Sequence, residues 1–263
     1  MTPLITLTTD FGLRDEFAGV MKGVICSRCP AARMVDLTHN IAPHDVRHAA
    51  QVIAAAYGYF PGGTIHVVVV DPGVGSDRRI ILLEIGDHLI LAPDNGVTSL
   101  LLPRSTRAYE VNNSDLFLQP VSTTFHGRDI FAPVAAHLAC GLPPAAVGHE
   151  IAPHSLVRLP FPAPRQDGDT LHGAVSDIDH FGNLITNIDR ESAGRLCSGN
   201  FHNLRVVIGP LTIRGISPAY NAAGPGAPVA LFNSRNLLEI GLCRGNAALE
   251  LQLGLDCEVC LSI

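Results

Sequence analysis

In the stretch VVVVDPGVGSDRR (67–79), four valines end at Asp71, and Arg78 follows across a turn with two glycines. An ionised carboxylate is an acceptor with two oxygens, and a guanidinium is a planar donor that accepts nothing. Side by side, they can pin one water and direct where its proton goes. Five more stretches are polar where packing alone would favour apolar residues. They are TTDFG (8–12) with Asp10, PDNG (93–96), TFHGRDIF (124–131) with His126, DIDHFGNLITNI (177–188) with Asp179, Phe181 and Asn183, and FNSRN (232–236) with Ser234 and Arg235. Each has a plainer reading alone. Asp10 reads as a helix cap, Asp71 and PDNG as turn formers, and His126 as a solvated loop residue. Arg128-Asp129 reads as a helix-start pair, Asn183 as a turn residue and Asn233-Ser234-Arg235 as a rim. Together they make an acid, an arginine, a histidine and several polar recognisers, all in expected loops.

Several chemistries are excluded by absent patterns. There is no GxxxxGK[ST] phosphate loop, GVGSDR lacks the GxGxxG frame, and neither GxSxG nor HExxH occurs. Cys26/Cys29 and Cys257/Cys260 have the spacing of metal clips. The first pair falls on a helical pattern, and the second spans a strand, where positions three apart face opposite ways. Small buried thiols are therefore the favoured reading, and no metal site is expected. The net charge is −6 with no basic run, which argues against nucleic acid and is mildly compatible with a cationic substrate. No apolar run has the ~20 residues that span a bilayer. The amino terminus has neither a basic nor an apolar leader region, so a cytoplasmic protein with reduced thiols is expected.

The elements that must position these residues alternate in type. Residues 3–10, 34–38 and 64–71 read as strands, the last apolar throughout, as a parallel strand covered on both faces is. Phe17, Val20, Met21 and Val24 have helical spacing, as do Val46, Ala49, Ala50, Ile53 and Tyr57 after an N-cap at Asp45. Two further runs predict a hairpin around Gly86-Asp87, and residues 130–140 a helix closed by Gly141. The fold class expected is α/β, with an N-terminal open, mostly parallel sheet flanked by helices (1–155). A Pro-rich linker (156–168) leads to a small C-terminal β-barrel domain (169–263) made of short strands without strong helices. Ligands of open α/β sheets bind outside the carboxyl ends of the strands, where Asp10 and Asp71 fall.

Taken in order, TTDFG, MKG, DPGVGSDRR, PDNG, FHGRDIFAP, FGNLITNI and NSR resemble the adenosine-forming S-adenosyl-L-methionine hydrolases, relatives of the fluorinase and chlorinase enzymes. The resemblance spans nearly the whole chain. It implies attack of water at ribose C5′, giving adenosine and L-methionine with no metal or redox cofactor. It also implies a homotrimer with sites between one subunit's α/β domain and the next subunit's barrel. By position, Asp71, Arg78 and His126 match the water-handling triad, and Asp10 the residue gripping both ribose hydroxyls. Phe181 would pack on the nucleoside, Asn183 read the adenine edge, and Asp179 pair with the methionine ammonium, with Asp177 as a substitute. Ser234 and Arg235 would hold the carboxylate. In the halogenases a tyrosine stands at the place of Asp71, which favours hydrolysis here. The alternatives are halogenation, a metal-dependent hydrolase of nucleosides or phosphates using Asp10, Asp71 and His126, and a non-enzymatic nucleoside-binding module. A sulfonium leaves as a neutral thioether, so the chemical demand falls on the nucleophile. Either Asp71 or His126 could accept its proton.

Overall fold

A computed structural model describes residues 2–105 and 107–263. The chain divides into two compact units, Met1–Pro160 and Phe161–Ile263. The division lies inside the stretch expected to link two domains. That stretch is ordered at both ends: Leu156 is buried in the first unit, and Arg165–Asp167 is a strand of the second.

The first unit runs β1 (Leu4–Thr9), α1 (Phe17–Arg28), β2 (Arg33–Thr38), α2 (Val46–Ala56), β3 (Ile65–Val69), β4 (Ile80–Ile85), β5 (His88–Pro93), β6 (Arg107–Glu110), α3 (Ala132–Ala139) and β7 (Glu150–Ile151). The sheet order is β2-β1-β3-β5-β4-β6-β7. The first four strands pair in parallel, and β4, β6 and β7 extend one edge antiparallel. The valine run is explained by alternation. Val67 and Val69 join the core under α1 and α3, while Val68 and Val70 join the core under α2. Each fully buried valine contributes roughly 1.5–3 kcal/mol, so the tip of β3 is held firmly from both sides.

Asp45 caps α2 by accepting from the His48 amide, and Ala49, Ala50 and Ile53 form the buried stripe. In α1 the buried stripe is Ala18, Met21 and Ile25, rotated from the one the apolar spacing suggested. Phe17 is 37% exposed because its ring meets Phe11 and Phe125 rather than the core. The expected hairpin forms as β4–β5, closed by Gly86 at positive φ. Gly141, also at positive φ, follows the Cys140 cap that closes α3.

The second unit runs β8 (Arg165–Asp167), β9 (Thr170–Ile178), β10 (Leu184–Asp189), α4 (Arg190–Leu196), β11 (Arg205–Ile208), β12 (Leu211–Arg214), β13 (Pro228–Phe232), β14 (Leu237–Leu242), α5 (Ala247–Leu251) and β15 (Glu258–Ser262). The order β12-β11-β15-β9-β10-β14-β13, with β8 on β9, curls into a nearly closed antiparallel barrel. Two short helices were not foreseen. Their periodicity spans barely a turn, but their caps are local: Asp189 accepts from the Ser192 amide, and Asn246 exchanges bonds with Leu249 and Glu250.

His66 on β3 is fully buried, with Nδ1 2.8 Å from Thr6 Oγ1. Burial first, then His88, pushes its pKa down to about 3. The unfolded chain therefore takes up this proton near pH 6.5, long before the folded protein does. Stability is full above that value and falls as the pH drops toward 3. The predicted loss is about 4 kcal/mol between pH 7 and pH 3 from this group. Urea unfolding of His66→Gln across that range should show a correspondingly shallower acid dependence than the wild type.

Candidate active site

Asp71 follows the last residues of β3, and Arg78 precedes β4. The loop between them folds back so that the arginine forks onto the acid. Arg78 Nε lies 3.0 and 2.8 Å from Asp71 Oδ1 and Oδ2, and Nη2 lies 2.5 Å from Oδ2. Their side chains are 11% and 4% exposed, so water screens this pair little. Arg78 Nη2 also donates to His126 Nδ1 at 2.7 Å. An arginine only donates, so Nδ1 must accept, and the neutral ring carries its proton on Nε2. Burial first, then the Arg78 guanidinium, pulls the His126 pKa below the ordinary histidine value, against the opposing pull of Asp71 and Asp129.

His126 enters a single π-helical turn, Gly127–Phe131, ahead of α3. Asp129, expected as half of a helix-start charge pair, is buried and ties down the loop before His126. Its Oδ2 accepts from the Ser122 amide at 2.8 Å, and Ser122 Oγ accepts from the Phe125 amide at 3.0 Å. Burial alone would raise the Asp129 pKa, but Arg128 and Ser122 outweigh it and hold the carboxyl low. Gly75 joins this loop to the 71–78 loop. It has φ +79°, and a Cβ there would lie 2.3 Å from the Thr123 carbonyl oxygen.

Asp10 follows β1, just past the rung that pairs Thr9 with Val69 of β3, and its Oδ2 accepts from the His44 amide at 2.9 Å. Asp10, Asp71 and His126 line one cavity of about 290 Å³, walled by Phe11, Phe17 and Phe125. It sits at the carboxyl ends of β1 and β3, where the sheet topology predicts a ligand. Asp10 does not cap α1, whose N-terminus has no side-chain cap.

The other five expected residues lie in the second unit. Asp179, Ser234 and Arg235 line a cavity of about 520 Å³ there. Asp179 Oδ1 accepts from the amides of Phe181 and Asn183, and Oδ2 from Asn183 Nδ2. Asp179 thus builds the turn that presents Phe181, which is 72% exposed, and Asn183, which is buried. Asp177 instead pairs with Arg235 at 3.2 Å. Sequence reasoning missed Glu239, Tyr220 and Asn233 in this cavity. Buried Glu239 accepts from the Tyr220 hydroxyl and, at 3.0 Å, from Asn233 Nδ2. Asn233 Oδ1 accepts from the amides of Arg235 and Leu237, shaping the Ser234-Arg235 turn. Burial, then Glu239, pushes the Tyr220 pKa up. The signal was present: an acid inside the apolar run LLEIGL.

All seven cysteines are free thiols. The expectation of buried thiols holds for Cys29 but not for Cys26, which is exposed on the outer side of α1. Cys260 faces His172 across the β9–β15 ladder, and with Glu258 they form a trio of possible metal donors within 4.8 Å of one another. None of the nine expected site residues belongs to it. Among the described residues, no helix is long and apolar enough to cross a membrane.

An α/β unit with an acid–arginine–histidine constellation at its strand ends, followed by a nearly closed antiparallel barrel, defines a two-unit α/β-plus-β protein. Residues 5–148 match the SAM hydroxide adenosyltransferase N-terminal domain, and residues 173–260 match the C-terminal domain of the same family. The chain belongs to the SAM hydroxide adenosyltransferase family. It is 40% identical over 253 residues to the (R)-S-adenosyl-L-methionine hydrolase of Salinispora arenicola, covering 94% of this chain and 93% of that one. The (R)-S-adenosyl-L-methionine hydrolase of Thermus thermophilus is 38% identical, with 97% and 98% covered. An uncharacterized conserved protein from Thermotoga maritima superposes with a TM-score of 0.92 at 35% identity, covering 98% of this chain and all of that one.

Gly75→Ala tests the contact between the two loops. A methyl at that position must displace the Thr123 carbonyl and also strains a left-handed backbone. The predicted loss is about 1–3 kcal/mol by chemical denaturation. Gly63→Ala has a similar φ of +83° and open space, and should cost less.

Proposed function

We propose that this protein hydrolyses S-adenosyl-L-methionine to adenosine and L-methionine. One observation carries the reading: Arg78 bridges Asp71 and His126, which line the cavity that also holds Asp10. Relatives of similar length named (R)-S-adenosyl-L-methionine hydrolase support it.

Water attacks ribose C5′ in line with the sulfonium. The new C–O bond forms as the C–S bond breaks, and its electron pair neutralises sulfur in the methionine thioether. The water must lose one proton. Neutral His126 has no lone pair to offer, because Nδ1 accepts from Arg78 and Nε2 bears hydrogen. Asp71 Oδ2 takes two Arg78 contacts and Oδ1 only one. The remaining acceptor capacity at Oδ1 makes Asp71 the base, with His126 Nε2–H orienting the water. Holding the reactants in line supplies up to roughly 7–11 kcal/mol of the barrier, so a weak base suffices.

Asp10 receives the ribose hydroxyls, using two oxygens for two vicinal donors. In the second unit, Asn183 reads adenine against Phe181, Asp179 meets the ammonium, and Ser234 with the Arg235 fork holds the carboxylate. Phe181, largely exposed in one chain, suits a homotrimer in which the nucleoside and a neighbouring subunit cover it. The protein works in the cytoplasm and uses neither metal nor redox cofactor.

Incubation with S-adenosyl-L-methionine and mass identification of products tests the reaction. Adenosine and methionine are expected, undiminished by a strong chelator and unchanged by added chloride or fluoride. A 5′-halo-adenosine or chelator-sensitive turnover would overturn the assignment. Asp71→Asn should lower kcat by about 10²-fold or more, within the usual range for losing a positioned base. Protonating His126 puts a hydrogen on Nδ1 against the Arg78 donor. The midpoint of the acid fall in rate should therefore lie below the ordinary histidine value of about 6.5, because burial and Arg78 keep this imidazole neutral further into acid. A kcat profile already halved at pH 6.5 contradicts that role.

A further inference from the structure

The turn PDNG touches both ends of the loop that carries Asp71 and Arg78. Val70 lies one residue beyond the end of β3, where the backbone ladder to β5 has stopped. A buried carbonyl there needs a donor. Asn95 Nδ2 supplies it, 2.8 Å from Val70 O, while Asn95 Oδ1 accepts from the Val97 amide at 3.2 Å. The amide orientation follows from its partners: a carbonyl on one side demands NH₂, and an amide N–H on the other demands oxygen. A side chain thus extends the ladder by one rung at the residue preceding Asp71.

The neighbouring Asp94 acts on the far end of the same loop. Arg78 and Arg79 are adjacent, so they point to opposite sides as the chain enters β4. Asp94 Oδ2 accepts from Arg79 Nε at 2.9 Å and Nη2 at 2.6 Å, and its side chain is 2% exposed. Its own amide donates to Arg79 O at 2.9 Å. Asp94 Oδ1 accepts from the Val157 amide, and Arg79 Nη2 donates to Ser155 O. A one-residue slip would exchange the two arginines. The buried pair makes that slip costly, because it would leave the Asp94 carboxylate without its partner.

We propose that Asp94 and Asn95 are positioning residues for the water-handling triad: Asn95 sets the placement of Asp71, and Asp94 commits Arg79 elsewhere so that Arg78 fills the triad. Neither touches the triad's polar atoms directly. The kinetic consequence rests on the hydrolytic reading; the geometric one does not.

Asn95→Ala and Asp94→Asn are examined by two measurements. The first is the His126 titration followed by NMR without substrate. Loosening Arg78 admits water and weakens both influences that depress the imidazole, whereas loosening Asp71 removes the carboxylate that opposes them. The midpoint should rise toward the ordinary histidine value in Asp94→Asn, where Arg78 is freed, and move measurably from the wild-type midpoint in Asn95→Ala, where Asp71 is freed. The second is steady-state turnover of S-adenosyl-L-methionine, where kcat should fall about tenfold or more with KM within about threefold, as expected when reacting groups are misplaced but binding is kept. A merely structural role lowers the melting temperature and leaves both the His126 midpoint and kcat of the folded variant at wild-type values; that result overturns the proposal. Wild-type protein that releases no adenosine refutes the hydrolase assignment instead, and the substrate-free titration still decides the positioning role.

Discussion

One guanidinium with two acceptors organises the first unit. Arg78 is largely buried between a carboxylate and an imidazole lone pair. Removing such a cation from water costs several kcal/mol, and only well-placed partners offset that cost. Asp71 offsets it by charge and His126 by accepting at Nδ1. Each partner constrains the others. The arginine dictates the histidine's tautomer, and the histidine stays neutral because it is buried beside a cation. The acid keeps one oxygen less occupied for the nucleophile. Taking away the arginine leaves the acid unpaired and the histidine's tautomer unfixed, so the three form a single chemical unit.

The apolar layers give that unit a fixed base. Alternate valines of β3 enter the cores on both faces of the sheet, so the strand can neither tilt nor slide without opening one of them. The acid at its end inherits that rigidity. The loops provide the convergence. Gly75 allows the 71–78 loop to touch the backbone at Thr123, and Asp129 draws the His126 segment tight from the other side. Phe11, Phe17 and Phe125 then wall the cavity with rings in edge and tilted contact.

The second unit reaches its polar cavity by repeating one local device. Asp179 Oδ1 accepts from the amides two and four residues later, and Asn233 Oδ1 does the same. Both turns leave the top of a barrel strand and present the side chains that follow, Phe181 and Asn183 in one case, Ser234 and Arg235 in the other. An Asx side chain accepting from its own backbone substitutes for the ladder where strands end. Glu239 then fastens the second turn from within the barrel through Asn233.

Local chemistry was legible from the residues themselves. The alternation of β3, the hairpin at Gly86-Asp87, the cap at Asp45 and the seven-residue return from Asp71 to Arg78 all depend on neighbours within about a turn or a strand, where periodicity and turn propensity act. What the linear order could not reveal was which polar groups meet across long separations. His126 joins Arg78 from 48 residues away, and Asn95 reaches Val70 across 25. The buried stripe of α1 differed from the one its spacing suggested, because Phe17 was drawn to two aromatic rings outside that helix. Asp94, read as part of a simple turn, proved to be the buried partner of Arg79. The sequence by itself determined where strands would end in polar residues. Only the tertiary structure decided which carbonyl at a ladder's end lacked a donor, and which of two adjacent arginines would turn inward, because both depend on the packing that surrounds them.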